Sequence, residues 1–397
     1  METKFIARFV VKGRMNFALL GIAMTTITLH DKPVQIPDPL MRADGTKVPS
    51  AEHWHQEQRL KTLEQFRTHV YGRAPLGKPA DLKFETQVTP NMMEGKATRK
   101  LVKISYSGPG GAGAINLILF VPNNKKPAPC FVLINNRGAD LIDATRENKS
   151  PFWPAEQMIE RGYAAAAFLN ADLDADKFDN FRDGVHGLFD EPNKPRAADA
   201  WGTIAAWAWG ASRVMDYLET DADIDKNRVA LVGHSRGGKT ALWAGAEDER
   251  FALVISNESG STGAALSRGK VGEHVADINK NFPHWFNGNY KKYNGREAEL
   301  PVDQHQLLAL IAPRLLYVAS ASEDLWADPE AEFKSAVAAT PVYELFGFKG
   351  VSGELPPIEK PIHEGAIGYH VRQGKHGLNE YDWTQFMNFA DKHWKAK

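Results

Sequence analysis

The segment Val229-Ala230-Leu231-Val232-Gly233-His234-Ser235-Arg236-Gly237-Gly238-Lys239 carries the residues best placed to do chemistry. An apolar, β-type run ends in Gly-x-Ser-x-Gly, and a helix-forming stretch (residues 240–246) follows at once. Small residues on both sides let the backbone turn tightly, so the serine hydroxyl projects beyond the end of a strand. A serine in that position becomes a nucleophile when a base takes its proton and a carboxylate holds the tautomer of that base. Arg236 and Lys239 are cations in the first turn of the following helix, where the positive end of the helix dipole disfavours them. That mismatch argues that both face a ligand, Arg236 a developing oxyanion and Lys239 a polar or anionic group.

Downstream, His376 lies in Arg372-Gln373-Gly374-Lys375-His376-Gly377, a glycine-flanked loop between the last strand-like run and the final helix. It is the expected base. His370 falls inside the strand pattern and reads as a packed core residue, and His363 lies in a Pro-rich loop. Two carboxylates follow strand-like runs, Glu258 in Asn257-Glu258-Ser259-Gly260 and Asp324 in Ser322-Glu323-Asp324-Leu325-Trp326. Spacing alone leaves the choice between them open.

The elements that must position these residues follow from periodicity. Residues 31–50 read as an extended arm and 51–71 as an amphipathic helix. Alternation over 98–107 and 115–121 predicts antiparallel strands around the turn Gly108-Pro109-Gly110-Gly111. Short apolar strands are then expected at 130–134, 163–169, 228–232, 251–256, 315–319 and 367–371. Helices are expected between them, at 153–161, 197–219, 304–311, 329–346 and 381–394. Strands alternating with helices imply a mostly parallel sheet covered on both faces, a three-layer α/β/α sandwich.

The 397 residues are 43% hydrophobic and 24% charged, enough for a large core. A net charge of −1 with no basic block argues against a nucleic-acid partner. Cys130 is alone and forms no internal disulfide, and no Cys/His cluster has zinc spacing, so neither metal nor cofactor is expected. Lys4, Arg8, Lys12 and Arg14 precede an apolar stretch at 17–29, the order of an export signal. Residues 1–30 are therefore set aside as that signal or as a disordered end. Residues 31–397 are expected to form one catalytic domain, secreted or periplasmic, not membrane-bound and monomeric.

Taken together, these blocks resemble the glucuronoyl esterases, carbohydrate esterase family 15 of the α/β-hydrolase superfamily, and the bacterial branch in particular because no disulfide is possible. The resemblance covers the chain from the Pro37-Asp38-Pro39 arm to the C-terminus, and from the elbow on it takes in Asn257-Glu258-Ser259-Gly260, Gly272-Glu273, Asn281-Phe282-Pro283-His284-Trp285-Phe286 and Asp303-Gln304-His305. It continues through Ile311-Ala312-Pro313-Arg314, Asp324-Leu325-Trp326-Ala327-Asp328-Pro329 and the His376 loop. It implies Ser235 as nucleophile, His376 as base, Glu258 as the acid and Asp324 as an alternative acid. Arg236 would stabilise the oxyanion, with Asn135, Asn136 or Arg137 offering a further donor. Lys239, Glu273 and Trp326 would hold a glucuronate ring. The implied substrate is a glucuronate ester, including lignin–xylan cross-links. The competing expectations are an acetyl xylan esterase or other α/β-hydrolase esterase, and a non-catalytic binding protein on the same fold.

Overall fold

The computed structural model describes residues 23–191 and 194–394. Two strands, β1 (Met24–Leu29) and β2 (Lys32–Pro37), form an N-terminal hairpin. Nine more share one sheet: β3 (Lys83–Met92), β4 (Ala97–Gly108), β5 (Gly111–Pro122), β6 (Ala128–Asn135) and β7 (Ala164–Leu169), then β8 (Ile224–His234), β9 (Leu253–Asn257), β10 (Leu315–Ala321) and β11 (Ile367–Arg372). Their spatial order is β3-β4-β5-β7-β6-β8-β9-β10-β11. From β7 to β11 every pairing is parallel, while β3, β4 and β5 form an antiparallel extension that meets β7. This is the expected α/β-hydrolase architecture.

The two sheet faces can be read from the alternation along the central strands. Cys130, Val132 and Ile134 of β6 and Val229 and Leu231 of β8 enter one core. The helices Thr203–Leu218, Arg236–Glu247 and Pro329–Leu345 cover that core with residues such as Trp207, Trp243 and Phe333. Phe131, Leu133, Ala230 and Val232 face the other way, under Ala155–Glu160 and Glu380–Trp394. Burying large side chains on both faces, each worth about 1.5–3 kcal/mol, makes the parallel strands apolar without interruption. No helix among the described residues is long and apolar enough to cross a membrane.

One boundary is corrected. Residues 23–30 do not lie outside the fold, because alternation in Met24–Leu29 pairs them with β2 and buries Leu29 beside Ile36, Ala265, Leu266 and Ala331. At the hairpin tip the His30 ring bonds Asp328 (2.9 Å) and its backbone N–H donates to Glu330 (2.8 Å). Part of the arm expected at 31–50 is thus strand. The remainder of the expected signal, residues 1–22, lies outside the described residues. The predicted helix at 51–71 is helical throughout, with two π-type stretches. The short helix Val275–Asn281 escapes the periodicity argument.

Candidate active site

Four neighbouring parallel strands deliver the site at their C-terminal ends, where open α/β sheets bind ligands. Ser235 follows β8, Glu258 follows β9, Asp324 lies just beyond β10, and His376 just beyond β11. Ser235 sits between strand and helix at φ +57°, ψ −123°, a conformation that costs a non-glycine residue about 1–3 kcal/mol. Gly233 makes the turn possible, since a Cβ there would lie 1.8 Å from the Gly237 carbonyl oxygen. The Ser235 N–H donates to the Asn257 carbonyl (2.8 Å), tying the turn to the end of β9. Glu258 also has positive φ, +46°, and its N–H donates to the Ala319 carbonyl (2.7 Å).

Both candidate acids reach the same nitrogen of the candidate base. His376 Nδ1 lies 2.6 Å from Asp324 Oδ2 and 3.2 Å from Glu258 Oε2. Burial alone would lower the imidazole's pKa, but the bonds to Asp324 and Glu258 raise it to about 9. Glu258 has further partners: Arg372 Nη2 donates to Oε1 (2.7 Å) and the Gly377 N–H to Oε2 (2.8 Å). Burial still raises its pKa, against the pull of His376 and Arg372. Arg372 also reaches Asp382 (3.1 Å), which holds His370 Nε2 (2.9 Å). His370 is fully buried, a packed residue as expected.

The His376 ring packs on His234, the residue before Ser235, with centroids 4.5 Å apart. Among the described residues no hydrogen bond joins the Ser235 hydroxyl to the imidazole; base and elbow are linked by this ring contact and, through the end of β9, by the bonds of Asn257 to the elbow and of Glu258 to His376. Arg137 Nη2 lies 3.1 Å from His234 Nε2 and can only donate, so that nitrogen accepts and Nδ1–H donates to Asn257 Oδ1 (2.6 Å). Burial and the adjacent His376 push the His234 pKa well down, consistent with that neutral tautomer.

Arg236 opens the helix after the elbow, and an N–H at that position has no carbonyl four residues back to bond. Its side chain pairs with Asp176 and lies over the rings of Trp285 (4.8 Å) and Phe282 (5.2 Å). Asp176 also accepts from Trp285 Nε1 (2.8 Å) and pairs with His284 Nε2 (3.0 Å). Burial would raise the pKa of Asp176, but the bonds from His284 and Trp285 and the charge of Arg236 hold it at about 2. At the end of β6 Asn135 is spent on Gly138 and Arg137, while in the loop beyond it the Asn136 side-chain amide is buried with no partner among the described residues.

The three expected ring-binding residues differ in what they offer. Lys239 is 4% exposed, and its ammonium donates to the carbonyls of Ser259 and Ser261 (the latter 2.5 Å), which leaves one of three donors. Burial, opposed by Glu273 and Glu332, lowers its pKa to about 8. The Glu273 N–H donates to the Trp326 carbonyl (3.1 Å), bringing those two residues together, and Lys270 Nζ donates to the Glu273 carbonyl (2.6 Å). Trp326 is 55% exposed, so its ring is open to stacking.

Ligand atoms of His234, Glu258 and His376 lie within 4.8 Å of one another, close enough for a cation. Each already has protein partners, and Glu258 is neutralised by Arg372, so the cluster is built as a hydrogen-bonded network rather than a metal cage.

A family model described as glucuronyl esterase, fungi, matches residues 153–347. A glucuronoyl esterase from Solibacter usitatus is similar with a TM-score of 0.85 and 41% identity, covering 90% of this chain and 98% of that one. The chain belongs to the glucuronoyl esterase family. A promiscuous CE15 esterase from a marine bacterial metagenome is 40% identical with a TM-score of 0.83, over 90% of this chain and 96% of the other. A 4-O-methyl-glucuronoyl methylesterase of Phanerochaete carnosa is 30% identical over 79% of this chain and 72% of its own. As a member of carbohydrate esterase family 15, the chain is an esterase.

Sequence reasoning missed Asp176, Arg372 and His234. Arg372 stands in the quoted His376 loop and His234 in the elbow itself, so each was visible but had no assigned partner. Asp176 lies in a loop rich in aspartates, where nothing distinguishes one carboxylate from the next.

Proposed function

We propose that this esterase cleaves esters of glucuronate, including the (4-O-methyl-)glucuronoyl esters that join glucuronoxylan to lignin. Ser235 acts as nucleophile, His376 as base, and Glu258 and Asp324 as its carboxylate partners. The observation that carries this reading is the convergence of both carboxylates on His376 Nδ1, which leaves Nε2 as the nitrogen able to serve the Ser235 hydroxyl. In a ligand-free site such a bond is often long and tightens only around substrate.

Ser235 Oγ attacks the C6 carbonyl while His376 Nε2 takes its proton, and the negative charge moves to the carbonyl oxygen. The Arg236 amide and guanidinium stabilise that oxyanion, with the Asn136 amide as a further donor. The C6–O bond to the alcohol then breaks, and His376 returns the proton to the departing oxygen. Water, deprotonated by the same imidazole, releases glucuronate from the acyl-enzyme. Lys239 donates to a ring hydroxyl and Glu273 accepts from one, while Trp326 covers a face of the ring.

The test is a panel of methyl glucuronate, aryl acetate and acetylated xylan substrates with wild type and Ser235→Ala. Turnover of the uronate ester that disappears in Ser235→Ala, with folding retained, supports the reading. Preference for acetyl groups would assign the chain to acetyl esterases instead.

A further inference from the structure

The segment Asn281-Phe282-Pro283-His284-Trp285-Phe286 has no part in the chemistry above, yet two of its rings flank one guanidinium and a third side chain reaches it through Asp176. Phe282 and Trp285 stack with centroids 3.7 Å apart and planes 2° apart, and Arg236 lies over both. His284 and Trp285 grip the carboxylate of Asp176, and that carboxylate in turn grips Arg236 through Nη1. Arg236 Nε is buried and has no partner among the described residues. The guanidinium is thus held against the rings by stacking and at Nη1 by an ion pair, and the side chain as a whole stays about a quarter exposed.

We infer that Asp176 is a positioning residue for ester hydrolysis: clamped by His284 and Trp285, it fixes the Arg236 guanidinium beside Ser235 so that the oxyanion meets a preset donor. The inference rests on the reading of Arg236 as an oxyanion-stabilising group. A long arginine side chain has many rotamers, and electrostatic stabilisation is largest when the donor need not reorganise during the reaction. The Asp176 carboxylate and the aromatic pair supply that restraint from outside the catalytic trio. The Trp285 ring also lies 6.0 Å from Lys239 Nζ, so one indole is shared between the oxyanion side and the acyl-binding side.

The experiment is a double-mutant cycle on a methyl glucuronate ester with Asp176→Asn, Arg236→Ala and the pair. Asp176→Asn should lower kcat roughly 10-fold, with KM unchanged within about twofold, because the lost restraint matters at the transition state. In the Arg236→Ala background the same substitution should change kcat by less than about twofold. An equal loss in both backgrounds, or no loss in either, would overturn the positioning role. Unchanged kcat in Arg236→Ala alone would overturn the oxyanion reading itself, a distinct result. Should Asp176→Asn fail to fold, Trp285→Phe keeps a ring under the guanidinium and removes one donor to Asp176. Its expected loss is about 3-fold in kcat, absent in the Arg236→Ala background, and a loss that persists there counts against the inference.

Discussion

Asp324 Oδ2 lies 2.6 Å from His376 Nδ1, although the residues leave the sheet from different strands and stand 52 positions apart. Glu258, arriving from the strand on the other side of β10, reaches the same nitrogen at 3.2 Å. One imidazole N–H therefore has two acceptors. In the proposed mechanism either carboxylate is placed to hold the tautomer, and both would favour the imidazolium formed during the reaction.

Removing one acid should consequently cost little, about 10-fold in kcat for Asp324→Asn, whereas Asp324→Asn with Glu258→Gln should cost on the order of 10³-fold or more. Steady-state kcat on a methyl glucuronate ester measures both. If Asp324→Asn alone matched the double variant, Glu258 would have no share in the work.

The pH dependence follows from the raised pKa of His376. The proposed base must be neutral to accept the Ser235 proton, so kcat/KM on an aryl acetate, which Lys239 does not read, should climb with pH, pass half its plateau near pH 9 and level off above that. Asp324→Asn removes a bond that favours the imidazolium, and should move this limb to lower pH. Stability carries the opposite sign. A pKa raised on folding contributes stability in full below the ordinary histidine value of about 6.5, and that contribution fades as pH rises through about 9. pH–rate profiles and chemical denaturation at several pH values check the two effects separately.

The strained φ of Ser235 sets stability against activity at one residue. Ser235→Gly relieves the strain and should stabilise the fold by about 1 kcal/mol while ending turnover. Ser235→Ala ends turnover too but keeps the strain. A Tm for the glycine variant no higher than that of the alanine variant would remove strain from the account.

Lys239 is expected to matter twice. Lys239→Met leaves the Ser259 and Ser261 carbonyls without their donor, costing about 1–3 kcal/mol. It should also raise KM for glucuronate esters more than for aryl acetates. In the wild type the charge is lost above about pH 8, so KM for the uronate ester should rise there as well. Equal losses on both substrate types would deny Lys239 any role in reading the ring.

Much of this architecture was legible from residue order. The elbow, the parallel strands and the His376 loop are written in local apolar runs and glycine placement, which report directly on short-range geometry. What pairs with what is not. Glu258 and Asp324 look equivalent as loop carboxylates, and only the register of β9, β10 and β11 aims both at one ring. Asp176 depends on contacts with residues more than a hundred positions away. The hairpin was obscured because a basic start and an apolar stretch look alike whether the chain goes on to be exported or to pair as a strand.

That hairpin has a reach greater than its size. Asp328, bonded by His30, also accepts the Val271 N–H (2.7 Å), two residues from Glu273 and two beyond Trp326. The hairpin thereby buttresses the loops that carry Glu273 and Trp326, the wall proposed to hold the acyl group. Trimming or tagging the protein inside residues 24–37 would alter which esters it prefers sooner than how fast it cuts them.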